Sequence, residues 1–188
     1  MIQIIFIDID GTVTDGAKRE QIVSKKGLVI GEYGDPDRKY PFGKHEFLMN
    51  FNHKEIFHLD DTLPYANELI DTLAQFNPDD SVIFWLTARD VINHEAIRLD
   101  LDNRGLWVEG MRLICKPHAT YCDTVDYKIK IIQEIVSSAN PNFCLYVENE
   151  PRLCSAAVNL GLGINVVENC MAGLELVKQQ FVANGVTN

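Results

Sequence analysis

Residues 2–7 form an apolar run broken only by Gln3, and polarity returns abruptly at Asp8, Asp10 and Gly11. A short run rich in β-branched residues and closed by a turn signal predicts a buried strand. Near-continuous rather than strictly alternating hydrophobicity predicts a central parallel strand covered on both faces. The same signature recurs at 81–86 (V-I-F-W-L after the serine), 111–115, 143–147 and 164–167. Between these runs the spacing changes to that of helices. Leu63, Ala66, Leu69, Ile70 and Leu73 predict a helix within 61–76, with Thr62 as N-cap, Pro64 in the first turn, and Asn77-Pro78 as the stop. Further helices are predicted over 91–103, ending at Gly105, and over 125–136, capped by Thr124. Two more are predicted over 152–160, ending at Gly161, and over 174–182, ending near Gly185. Alternating strands and helices predict an α/β fold: a doubly wound, mainly parallel, Rossmann-like sheet.

One segment breaks this rhythm. Gly27, Gly31, Gly34, Pro36, Pro41 and Gly43 punctuate a stretch with no sustained periodicity, in which only short helices near 18–24 and 44–51 are expected. A long irregular segment inside a compact domain is commonly functional. The expected organisation is a catalytic core of 1–15 and 61–188, with 16–60 as a small cap or flap. The charges of that segment are either a solvated surface or part of a cover over a ligand.

The bulk numbers narrow the partners. With 188 residues, 46% hydrophobic and 23% charged, the chain suits one globular domain. A formal net charge of -10 argues against a long nucleic-acid ligand, which needs a basic footprint. No apolar run reaches the roughly 20 residues of a membrane span. The first apolar run has no basic segment before it and ends in aspartates, unlike a signal peptide. Five cysteines without a secretory signal predict reduced thiols in a cytoplasmic protein. Cys115, His118 and Cys122 have a zinc-compatible spacing, but no fourth ligand is evident nearby.

Each of the first four predicted strands ends in a polar group: Asp8 and Asp10, then Thr87, then Lys116, then Glu148 and Asn149. A doubly wound sheet gathers such carboxyl ends along one edge, where ligands bind. Two neighbouring carboxylates at a buried strand end repel, and burial disfavours their ionisation, so a cation is expected to relieve them. Carboxylates, a hydroxyl and an ammonium together are the equipment for phosphoryl transfer through an aspartyl-phosphate, with Mg²⁺ as the hard cation.

The stretch 2–15 resembles the first motif of the haloacid dehalogenase (HAD) superfamily, hhhhDxDGTxx(D), at Asp8, Asp10, Gly11, Thr12 and Asp15. The resemblance implies that Asp8 is the nucleophile and Asp10 the general acid/base. V-I-F-W-L-T-A-R resembles the second motif and implies that Thr87 holds the phosphoryl group. Thr87-Ala88-Arg89 is similar to the T-G-R of members acting on nucleotide-like phosphates, with alanine for glycine. Gly11, Thr12, Ala88, Arg89 and Arg19 are the expected substrate contacts, a salt-bridge or packing role being the alternative for the arginines. For the motif lysine, Lys128 in D-T-V-D-Y-K-I-K is favoured over Lys116. The fourth motif departs from the family, with Glu148-Asn149-Glu150 where Gly-Asp or Asp-Asp is usual. Asp8, Asp10, Glu148 and Asn149 are the expected metal ligands. The implied activity is Mg²⁺-dependent hydrolysis of a small phosphomonoester or nucleotide. Rival readings are a polynucleotide-end phosphatase, a non-catalytic phosphate-binding protein of the same fold, and a response-regulator-like phosphoryl acceptor.

Overall fold

A computed structural model describes residues 2–31, 37–118 and 122–183. Gly34, Pro36 and the predicted end of the last helix near Gly185 lie outside them. Among the described residues, the main sheet has five parallel strands in the order β5-β4-β1-β6-β7. These are β1 (Gln3–Ile7), β4 (Ser81–Asp90), β5 (Arg112–Lys116), β6 (Phe143–Val147) and β7 (Asn165–Val167). The first strand in sequence is thus central in space, and the strand order reverses there, between β1 and β6. A ligand crevice is expected at the carboxyl end of such a switch point.

Side chains of β1 alternate between two cores, as the period of a strand requires. Ile5 and Ile7 pack with Trp85, Leu145 and Val147 under α3 (Ala66–Leu73), α4 (His94–Asn103) and α7 (Cys170–Ala183). Ile4 and Phe6 pack with Phe84, Leu86 and Tyr146 under α5 (Thr124–Ala139) and α6 (Pro151–Asn159). Helices on both faces explain why β1 reads as apolar at every position after Gln3.

The irregular segment contains α1 (Ala17–Lys25), α2 (Lys44–Phe51) and a 3-10 turn at Lys54–Leu59. Its own small core joins Val23, Leu28, Val29 and Phe47. At its base β2 (Thr14–Asp15) pairs antiparallel with β3 (Asp61–Thr62). Thr62 is therefore a strand residue and not a helix cap. Extension of Asp61–Thr62 delays α3 to Ala66, after Tyr65 at φ +65°. The cap of α5 also differs by one residue: Asp123, not Thr124, accepts from the Val125 amide at 2.8 Å. At the other end of the sheet region, β4 runs through Thr87 to Asp90, and α7 begins at Cys170. No described helix is long and apolar enough to cross a membrane.

Candidate active site

Strand register alone aligns the site. Ile7 pairs with Trp85 on one side and Val147 on the other, so Asp8 and Glu148 leave adjacent strands at one level. Asp8 is 4% exposed and Glu148 1%. Lys128, in the second turn of α5, reaches between them: its Nζ lies 2.5 Å from Asp8 Oδ1 and 2.7 Å from Glu148 Oε2. Tyr146 donates its hydroxyl to the same Glu148 oxygen at 2.6 Å, and the Glu150 amide donates to Oε1 at 3.0 Å. Burial pushes the Asp8 carboxyl up to about 7 against the pull of Lys128, with Glu148 and Asp10 adding to the rise. Burial alone would lower the Lys128 ammonium, but Asp8 and Glu148 outweigh it and hold its pKa above the usual value.

The loop after β1 folds back on itself. Gly11 takes φ +80°, where a side chain is strained, and donates to the Thr14 carbonyl at 2.7 Å. Thr12 is turned inward, its hydroxyl 3.2 Å from Asp8 Oδ2. The Asn149 backbone amide donates to Thr12 Oγ1 at 3.1 Å, and the Asn149 side-chain amide meets that oxygen at 3.1 Å. A hydroxyl has one proton, and here it serves Asp8. The Asn149 group facing Thr12 is therefore the nitrogen, and in that orientation it also donates to the Asp10 carbonyl at 3.2 Å and to Glu148 Oε1 at 3.3 Å.

Asp10 points the other way, into a cluster of two arginines and two acids. Arg89 donates to both its oxygens, at 2.9 and 2.6 Å, and Arg19 to one at 2.5 Å. Although burial opposes it, this pair holds the Asp10 carboxyl well below the usual carboxylate range, Arg89 contributing more than Arg19. Asp60 completes the cluster, bound by Arg19 Nε and Nη2 and by Arg89 Nη2. Arg19 stacks on Phe51, and Arg89 on Phe57, each 4.3 Å from the ring centroid. Both guanidinium groups are buried, so neither forms a surface salt bridge. Arg89 Nη1 is buried with no hydrogen-bond partner among the described residues.

The remaining expected residues are distributed unevenly. Thr87 is fully buried, and its hydroxyl accepts from the Arg89 amide at 3.1 Å, fixing the turn that aims Arg89 at Asp10. Ala88 is partly buried and brings no polar side-chain atom. Of the two lysines, Lys128 stands at Asp8, whereas Lys116 donates to the Cys122 carbonyl at 2.5 Å. His118 pairs with Asp90 at 2.7 Å. Asp60 and Tyr146 were not read from sequence as site residues. Asp60 is one of a pair of acids ahead of a helix, and Tyr146 is one more aromatic in an apolar run; only the fold shows what each faces.

Whether these residues suit Mg²⁺ can be judged from the donor set. Mg²⁺ demands near-octahedral oxygen ligands at roughly 2.0–2.1 Å. Asp8, Asp10 and Glu148 each have both carboxylate oxygens engaged by side-chain or backbone donors. Asn149 presents a nitrogen to the Asp10 carbonyl and Glu148. Among the described residues no three of His, Cys, Asp or Glu converge as a cation site. The residues as placed do not fit the ion.

No protein-family model and no curated protein sequence matches the chain. Solved structures do match. The HAD domain of the effector protein Lem4 from Legionella pneumophila superposes with TM-score 0.57 at 13% identity, over 97% of this chain and 95% of that one. A haloacid dehalogenase-like family hydrolase from Xanthomonas campestris gives 0.56 at 10% identity, over 99% of each chain. A HAD-superfamily hydrolase from Ehrlichia chaffeensis gives 0.53 at 13%, over 95% of this chain and 98% of that one. The order of the strands, the switch point beside β1 and these superpositions agree: this chain has the fold of the haloacid dehalogenase superfamily hydrolases.

Proposed function

We propose that the chain is a phosphomonoester hydrolase that works through an aspartyl-phosphate on Asp8. One observation carries the reading: Asp8 lies buried at the carboxyl end of the central strand, with an ammonium on one oxygen and a hydroxyl on the other. A carboxylate so placed is oriented for attack, and the Lys128 charge is at hand for oxygens that gain charge as phosphorus is transferred. In the first step an Asp8 oxygen bonds to phosphorus and the P–O bond to the leaving group breaks. In the second, water attacks phosphorus, the Asp8–phosphorus bond breaks and phosphate leaves.

Asp10 handles the protons. As it sits it is an ionised acceptor, which suits it to take the proton of the attacking water. Giving a proton to the leaving oxygen in the first step requires a higher pKa. An arriving phosphoryl dianion competes for Arg19 and Arg89, loosens their hold on Asp10 and raises it. The partnerless Nη1 of Arg89 is a ready donor to such an anion. Substrate specificity is assigned to the segment 16–60, which supplies Arg19, Asp60 and the stacking rings. A small phosphomonoester or nucleotide suits the acidic chain better than a polynucleotide end.

The test is hydrolysis of para-nitrophenyl phosphate by the wild type and by Asp8→Asn. The expected loss is at least about a thousandfold with the thermal transition retained. Comparable turnover by Asp8→Asn would exclude a phospho-Asp8 intermediate. Asn149, standing where an acid is usual, favours a second reading: phosphate binding without turnover. That reading expects a wild type that binds inorganic phosphate yet leaves the aryl ester intact.

A further inference from the structure

Three oxygens converge beside the loop of Gly11: the Asp10 carbonyl, Glu148 Oε1 and Thr12 Oγ1. What faces all three is the side-chain nitrogen of Asn149, at 3.2, 3.3 and 3.1 Å. The placement is tight. A Cβ added at Gly11 would fall 3.0 Å from Asn149 Cγ, so the amide lies directly on the loop backbone. A short distance away, the Lys128 ammonium bridges Asp8 and Glu148. An N–H donor and an ammonium thus stand at the points where a cation would relieve the acids. Cation binding would have to displace both. It would gain from Asn149 only a neutral amide oxygen, and it would face the Lys128 charge at close range.

We infer that Asn149 is a staple of the catalytic loop rather than a metal ligand, and that Lys128 takes the electrostatic place of a tightly bound divalent cation. The inference rests on the phosphatase reading only for the word catalytic; its test is binding. The charges support it. Four buried or half-buried acids (Asp8, Asp10, Asp60 and Glu148) already face three cations (Arg19, Arg89 and Lys128) within the site. One residual negative charge, shared among paired groups, is a weak attractor for a strongly hydrated ion.

The experiment is titration of chelator-treated protein with Mn²⁺, followed by the electron paramagnetic resonance signal of the free ion. Wild-type protein is expected to bind with Kd weaker than about 1 mM, and Asn149→Asp, which restores a carboxylate, at least about tenfold more tightly. A wild-type Kd tighter than about 1 mM overturns the inference, as does an Asn149→Asp protein that folds yet binds no more tightly. Should that variant fail to fold, the wild-type titration decides alone. Aryl phosphate hydrolysis that survives EDTA is the matching kinetic result. Tight Mn²⁺ binding with Asp8-dependent hydrolysis would remove this inference and leave the phosphatase reading standing; weak binding with no hydrolysis would do the reverse.

Discussion

Lys128 is the residue on which the buried charges of the core balance. Its Nζ separates two carboxylates that are each less than a tenth exposed, and the same Glu148 oxygen takes the Tyr146 hydroxyl. Without the ammonium, Asp8 and Glu148 face one another in low dielectric with only hydroxyl and amide donors. Breaking a buried ion pair by removing one partner costs about 3–5 kcal/mol, so Lys128→Met should lower unfolding stability by roughly that much. Lys116→Met removes a half-buried ammonium whose recorded bond is to a backbone carbonyl, and should cost no more than about 1 kcal/mol. Urea unfolding of the two variants checks this; equal losses would mean that Lys128 carries no special electrostatic share. Why the sequence favours Lys128 without deciding is physical. A lysine has four rotatable carbons, so position in a motif does not fix where its charge goes, whereas Asp8 is tied by a short side chain to the strand that carries it. Asn149 was legible as a departure from the family pattern. Its orientation was not, because that depends on which of two acceptors takes the single Thr12 proton.

At the scale of elements, the central sheet was open to sequence reading and its attachments less so. Strands buried on both faces need apolar residues at nearly every position, so β1, the 82–86 stretch of β4 and β6 announce themselves. The 16–60 segment has no such signature, because most of its packing is on a small core and on the charged cluster, with Phe57 reaching the core of the sheet. Even its boundary lies in a pairing two residues long, Thr14 with Thr62 and Asp15 with Asp61, that no periodicity could reveal. Several side chains hold this segment to the core, Arg19 through Asp10 and Arg89 through Asp60 among them. Carried by α1, Arg19 donates to Asp60, to Asp10 and to the Phe51 carbonyl at 3.0 Å, so one side chain joins α1, the end of α2, the residue after the 54–59 turn and the loop after β1. Arg104 adds a further tie, to the carbonyls of Phe57 and Asp60, and Asn93 another, to the Asn52 carbonyl. Arg19→Ala should therefore leave the sheet folded while loosening the segment. Hydrogen exchange should speed by about tenfold or more in 17–25 and 44–59, corresponding to roughly 1.4 kcal/mol or more of lost local stability, with β1 and β6 unchanged. Acceleration spread evenly over the chain would show instead that segment and sheet unfold as one unit.

At the scale of the molecule, charge separates the readings that the fold leaves together. The chain carries a formal charge of -10, and the cations of the site are matched or exceeded by the acids they touch. A small phosphate dianion therefore approaches a repelling field and meets attraction only at contact with Arg89, Arg19 and Lys128. Repulsion of that kind reaches about 30 Å at 0.01 M salt and about 8 Å at 0.15 M. Raising salt across that range should increase kcat/KM for para-nitrophenyl phosphate by roughly two- to fivefold, through KM, with kcat little changed. A polynucleotide-end phosphatase predicts the opposite sign. Its ligand binds by releasing counterions from the phosphates it touches, so affinity falls steeply with salt. Initial rates on the aryl phosphate and on a short 3′-phosphorylated oligonucleotide, each at three salt concentrations, decide between them. Rates that fall with salt for the oligonucleotide, together with turnover faster than for the monomer, would place a basic track on this acidic surface and reverse the substrate assignment. Rates that rise with salt, or stay level, for both substrates fit a site that draws its ligand by short-range contacts alone. The same contacts set how selective it can be, because with no long-range attraction every increment of affinity must come from groups within hydrogen-bond reach of the phosphoryl oxygens.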